Sequence, residues 1–304
     1  YTINLNNNGG SNYSYTVASG WTTNAAGNWG TASTWTANAI PPTNTNLGIV
    51  TINHAVTQNT DALVSSLVIN NLGTLSGTAN TLTINNNTSG TNISNSGTLN
   101  LSGTHTITFA GTATHTISGV VNLNNVNTTS GINFGTSSTI NGTFTINTGG
   151  FVSVNAPTYG ANSTLVYNTG GAYGVSTEWT ANLLTGRGVP NNVTISSAST
   201  NLNFGSSNQY RRMSGSLSIS TSTSLTLSTV SGGDLRIGGN WTNNGSFTAN
   251  SRAVYFDGSS TQTINATSTG FAYLFISNTS ATVTASASIT VLNSLTIDAN
   301  ARLD

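Results

Sequence analysis

Apolar and polar residues alternate with a period of two along most of this 304-residue chain. The stretch 98–118, TLNLSGTHTITFAGTATHTIS, puts Leu99, Leu101, His105, Ile107, Phe109, Ala113, His115 and Ile117 on odd positions. Its even positions are Thr, Asn, Ser and one Ala. An extended strand sends successive side chains to opposite faces, so this parity predicts one buried face and one wet face. The breaks Ser102-Gly103 and Ala110-Gly111 permit a bend without changing the parity.

The same apolar-polar-apolar unit returns throughout the chain. IVTI, SLVI, LTI, LNL, TITF, THTI, VNL, INF, FTI, FVSV and TLVY follow one another from Ile49 to Tyr167, separated by Asn, Gly, Ser and Thr. After 168–192 the rhythm resumes with VTI, LNF, LSI, LTL, LRI, AVYF, QTI, LFI and ITV. Short strands at this spacing suit a hairpin sandwich or a parallel solenoid. Two features favour the solenoid. Stacked coils bring like side chains together at each corner, so Asn can stack on Asn and Thr on Thr. A sandwich would also need charges to protect its edges, and here charges are scarce. The expected fold is therefore all-β, a parallel β-solenoid of about ten or more coils built from Thr/Asn/Gly-rich strand-turn repeats.

Four regions follow from the pattern. Residues 1–46 form an N-terminal Trp-rich strand and cap segment, opening with two alternating stretches, YTINL and YSYTV, around a turn-prone NNNGGSN. Residues 47–167 are solenoid, 168–192 a flanking loop or insertion, and 193–304 a continuation that stops soon after a strand-like LTI, as expected of a piece of something longer. The QYRRM run at 209–213 interrupts the second half and is expected to be a solvated corner.

Composition narrows the chemistry. Charged residues make up 4 % of the chain against 36 % hydrophobic, there is no lysine or cysteine, and the net charge is zero. The common surface helix formers are nearly missing, which argues against helix, while the numerous and regularly spaced apolar residues argue against disorder. A neutral chain cannot track a phosphate backbone, so nucleic acid is not an expected partner. No apolar run is long enough for a membrane helix.

The candidate ligand-binding residues are aromatic. Trp21, Trp29 and Trp35 lie in one nearly charge-free block, as a platform for sugar rings or as a plug over the open end of the array. The insertion adds Tyr173 and Trp179, together with Glu178, the only glutamate, and Arg187. It is read either as a functional loop or as a cover in which Glu178 and Arg187 pair. No catalytic residue, metal site or cofactor is expected. His105 and His115 fall on the apolar parity as hydrogen-bonded core or corner residues, since two histidines without a third ligand make a weak metal site. Asp234 and Asp257, one coil apart, are the acids that stacking brings closest to a glycosidase pair. The Thr-x-Thr units at 104–108 and 112–116 offer rows of hydroxyls and methyls such as an ice-binding or crystalline-polysaccharide surface requires. Thr is also simply a good uncharged residue for a wet strand face.

Three blocks carry a resemblance: GNWGTASTWTANAIPPTNTNLGIVTINHAVT at 27–57, ANSTLVYNTGG with TEWT and GRGVPNNVTI within 161–195, and DLRIGGNWTNNGSFTANSRAVYFDGSSTQTI at 234–264. Together they cover about a third of the chain, and they resemble repeat regions of very large cell-surface adhesins of Bacteroidetes-type bacteria. The resemblance implies gliding or attachment proteins exported by a type IX secretion system, with a separate sorting domain that this sequence does not show. It carries over no catalytic residues. The functional expectation is a non-enzymatic, structural and adhesive segment at the extracellular cell surface. Its expected partners are glycans or solid surfaces, the secretion machinery, the rest of a larger adhesin and neighbouring copies side by side. The alternatives are a carbohydrate- or ice-binding module and a β-helix polysaccharide lyase or hydrolase.

Overall fold

The computed structural model describes residues 2–6 and 12–16 by their backbone, and 20–266 and 270–304 in full apart from the Ala266 side chain. It is a parallel β-solenoid. Thr2–Asn6 and Asn12–Thr16 pair as an antiparallel ladder, and every other strand pairing between named strands is parallel. Helix among the described residues amounts to two short 3₁₀ turns, Ala32–Thr34 and Thr177–Trp179.

Each regular coil lays one strand on each of three sheets. In the third described coil these are Ser66–Ile69, Thr74–Gly77 and Thr81–Asn85. One sheet collects eleven strands, from Ala62–Val64 to Val283–Ala285, and so counts eleven coils. Coil length varies while register holds. Register partners are as close in sequence as Val126 and Phe144 and as far apart as Leu165 and Val193, the extra residues going to corners and to the insertion.

The core follows from parity. The eight residues named on odd positions of the 98–118 stretch are all buried, only Gly103 and Gly111 among the odd positions are not, and none of the even ones is. The bends that keep this parity sit where expected: Gly103 at φ +62° and Gly111 at φ +99° are in the left-handed region that other residues avoid. A Cβ on Gly103 would also meet the Thr78 carbonyl oxygen at 2.4 Å. Inward Leu, Ile, Val and Phe form one continuous cluster along the axis, each contributing about 1.5 to 3 kcal/mol when fully buried.

Corner stacking also takes the expected form. Asn70 Nδ2 donates to Asn53 Oδ1 at 2.6 Å, Asn155 to Asn133 at 3.0 Å and Asn168 to Asn147 at 2.7 Å, each pair spanning adjacent coils. Polar corners in a nearly charge-free chain are thereby satisfied by one another.

Two boundaries differ from the sequence reading. The Trp block belongs to the first described coil, because Gly20–Thr22 pairs with Ile49–Ile52 and Gly27–Asn28 with Ala55–Thr57. Around the insertion, the two other sheets stop at Phe151–Val152 and Thr158–Tyr159 and are replaced by a four-stranded sheet from Ala172–Gly174 and a five-stranded sheet from Arg211–Met213. The eleven-stranded sheet alone runs through. Arg211–Met213 is therefore a strand with Arg211 and Met213 turned inward, and not the solvated corner its two arginines suggest.

Candidate functional site

Three places hold the chain's chemistry: the Trp block, the insertion, and the outer face of the five-stranded sheet. In the first, Trp29 and Trp35 are each 1 % exposed, with ring centroids 4.9 Å apart in edge-to-face contact. Trp35 Nε1 donates to the Trp29 carbonyl at 2.7 Å, and half-buried Trp21 packs edge-on against Trp35 at 5.8 Å. Two indoles sealed in this way lie in the core of the first described coil and offer no free ring face; Trp21 is covered only in part.

The insertion is a bridge across the break between sheets. Residues 175–191 accept and donate on both sides of it. Thr177 Oγ1 donates to the Val152 carbonyl at 3.2 Å and the Gly188 amide to Pro157 at 2.9 Å on one side; on the other the Asn182 amide donates to Tyr210 at 2.8 Å. Trp179 is fully buried against Phe204, ring centroids 5.3 Å apart, and its Nε1 donates to the Arg212 carbonyl at 2.7 Å. Tyr173 is half-buried, its ring 5.4 Å from that of Tyr167, and its hydroxyl is buried without a partner among the described residues.

Glu178 is 0 % exposed, and its Oε1 accepts from the Ser176 amide at 2.9 Å and from the Tyr167 hydroxyl at 3.2 Å. Burial raises its carboxyl above the usual range, opposed by those hydrogen bonds and by the Arg211 charge. Burial likewise pushes the Tyr159, Tyr167 and Tyr173 phenols upward, with Glu178 adding to each. The expected Glu178–Arg187 pair does not form: the Arg187 guanidinium donates instead to the carbonyls of Gly135 and Ala156. Arg211 spends its donors on the carbonyls of Val175, Ser176 and Trp179, which ties the insertion to the next coil. A carboxyl with no path to solvent, held by its own backbone and a tyrosine, is a structural anchor in this state.

The third place is a ladder that sequence reasoning missed. Arg212, Arg236, Tyr255, Phe275 and Thr296 occupy one outward column on successive coils. Arg212 and Arg236 both bond to Asp257 Oδ2, the latter at 2.8 Å. Arg236 lies over the Tyr255 ring at 4.7 Å, and Tyr255 stacks on Phe275 at 4.5 Å with 18° between planes. Rings stacked along the axis cover each other's faces and show their edges outward, so the column staples coils together and is a poor sugar platform. Its signal in the sequence is recurrence at one-coil spacing, invisible until coils are aligned.

The remaining candidates separate. Asp234 Oδ1 accepts from the Ala253 amide at 2.8 Å, whereas Asp257 lies beyond the Ile237–Phe256 register pair. The two carboxylates are thus four residues apart along the strand direction, about 13 Å, too far for the roughly 5 to 9.5 Å of glycoside hydrolysis. His105 Nε2 and Gln58 Oε1 are 3.0 Å apart, and His115 Nε2 donates to the Ala110 carbonyl at 2.8 Å, so each ring serves the core. No group of three His, Asp or Glu side chains gathers among the described residues. A shallow groove of about 320 Å³ beside Gln58 is lined by Thr57, Ser76, Asn80 and Asn100, all uncharged.

Fold and sites together define a closed-core, nearly uncharged β-solenoid whose polar groups mostly face outward. Comparison with protein-family models, curated proteins and solved structures finds no match to this chain.

Proposed function

We propose that the chain is a structural and adhesive segment of a secreted bacterial cell-surface protein, without enzymatic activity, that attaches the cell to surfaces or glycans and serves in gliding. The observation that carries this reading is the architecture: eleven coils in register form a rod with one unbroken sheet, about 48 Å from first to last strand of that sheet. Its surface is almost without charge, so contacts to a solid or a glycan are neither repelled nor strongly screened by salt. The partners in this proposal are surface glycans or solids, the remainder of a larger adhesin with its secretion machinery, and side-by-side copies; the place is the outer cell surface.

A carbohydrate- or ice-binding module is the second reading, favoured by the outward Thr and Asn columns rather than by the tryptophans, whose rings are largely sealed. A lyase or hydrolase draws no support from the separated Asp234 and Asp257 or the sealed Glu178. The test is made on the source cells: delete the coding segment and score attachment to glass and spreading on agar, with protease shaving for exposure. Lost attachment with a shaved product is the expected result. Normal attachment, or protein found free in the medium, overturns the adhesive reading.

A further inference from the structure

One outward column of the eleven-stranded sheet runs from Leu63 through Thr83, Thr108 and Thr145 to Thr194 and Thr242, in register coil after coil. Asn127 stands between Thr108 and Thr145, and Asn265 follows Thr242. At about 4.8 Å per coil the column is about 43 Å long. It carries no charge and no aromatic ring.

Its asparagines differ from those beside them. In the neighbouring column the asparagines are spent on the rod itself: Asn125 Oδ1 accepts the Thr143 amide at 3.0 Å, Asn192 the Ser216 amide at 2.9 Å, and Asn240 the Thr263 amide at 2.8 Å, while the Thr143, Thr164 and Thr263 hydroxyls have no partner among the described residues, as in the central column. The Thr and Asn side chains of the central column make no hydrogen bond to any described residue. Their donors and acceptors are left for what lies outside. A second observation concerns placement. The insertion and both sheet breaks fall on the other two sides of the rod, so this sheet alone keeps its register through the disruption.

Single contacts between hydroxyls and amides in water contribute little. A rigid row gains from them only when a rigid, repeating partner engages many at once. Such a partner for an uncharged row is itself uncharged, and its groups both donate and accept, as Thr hydroxyls and Asn amides do. Ordered water would favour one identical group on every rung, whereas Asn127, Val166 and Ser218 interrupt the threonines. That mixture suits sugar hydroxyls and ring edges.

We propose that this column is a docking strip for an ordered, uncharged polysaccharide lying along the solenoid axis. The proposal rests on the adhesive reading and supplies its ligand class. The test uses the purified chain, cosedimented with microcrystalline cellulose, chitin and insoluble β-glucan, against the double variant Thr145→Arg/Thr194→Arg. Asn100→Arg/Asn122→Arg, on a different sheet, is the control, and circular dichroism confirms that all three are folded. The parent should bind at least one polymer, undiminished by about 0.5 M salt. The strip variant should lose about ten-fold or more in affinity and the control should not. Binding to none of the three polymers, equal loss in both variants, or shaping of ice without polymer binding overturns the strip. Cells carrying the strip variant separate the two proposals. If they attach normally while deletion cells do not, the adhesive reading stands and the strip falls. If deletion cells attach normally while the purified chain binds polymer through the strip, the strip stands and the cellular role falls.

Discussion

Ile107 and Thr106 are neighbours in one strand and live in different solvents: Ile107 is 1 % exposed in the core, and Thr106 faces water. Ile107→Asp should therefore cost more than about 4 kcal/mol, by burying an unpaired charge in place of a methyl-rich side chain. Thr106→Asp should cost less than about 1 kcal/mol. Denaturant melts of the two variants check this, and equal losses would refute the parity. His105 follows a different rule on the same buried face. Its imidazole fills the space beside Gly77, where a Cβ would come within 2.7 Å of Cδ2. Gln58 holds Nε2 while donating its own amide to the Thr60 and Thr81 carbonyls, which leaves Nδ1 buried and without a partner among the described residues. Burial pulls the His105 pKa from 6.5 to about 4, with Asp61 opposing, and burial lowers His115 as well. The unfolded chain thus takes up a proton near pH 6.5 that the folded chain refuses until about pH 4. Stability should be full above pH 6.5 and fall on acidification towards pH 4, by up to about 3 kcal/mol from His105. His105→Gln should flatten this slope in part, the remainder belonging to His115; an unchanged slope in stability measured from pH 7.5 to 4 would reject the assignment.

At the scale of elements, most strands were readable, three-residue ones such as Leu217–Ile219 and Leu235–Ile237 included, but Ala172–Gly174 and Arg211–Met213 were not. Parity identifies Thr81–Asn85, Thr106–Ala110 and Thr164–Asn168 because each shows at least two inward and two outward positions. Ala172–Gly174 and Arg211–Met213 show three residues each, and an inward Arg reads as solvent-facing until its carbonyl partners are known. The insertion was visible as a break in rhythm that held the lone glutamate. Its role as a bridge was not, because its partners Val152, Pro157, Tyr210 and Arg212 come from three other segments. Trp179 is the side chain that ties this bridge to the core. Trp179→Ala should cost about 3 to 5 kcal/mol, and hydrogen exchange should show the amides of Asn182 and Gly188 losing protection while Leu82–Ile84 keep theirs. Uniform loss along the whole rod would instead mean that the break is no local unit.

Over the described residues, the stacking of coils turns a one-dimensional pattern into one continuous core. Four of the five tryptophans, Trp29, Trp35, Trp179 and Trp241, are at most 1 % exposed. Acrylamide should accordingly quench a minor part of the fluorescence, and Trp21→Phe should remove most of that part. A large quenchable fraction in the variant would show the Trp block open in solution. Period and corner chemistry are local and repeat, and they already carry the all-β class, the apolar inward residues, the solenoid, the approximate number of coils and the place of the insertion, though not the inward Arg211. Tertiary structure alone decided which coils sit in register and so which distant residues share a column. That is why the Arg212–Arg236–Tyr255–Phe275 ladder, the separation of Asp234 from Asp257 and the unspent threonine column were invisible in the chain. The physical reason is that corner loops differ in length from coil to coil, so sequence distance does not convert to a column position until backbone pairing has set the register.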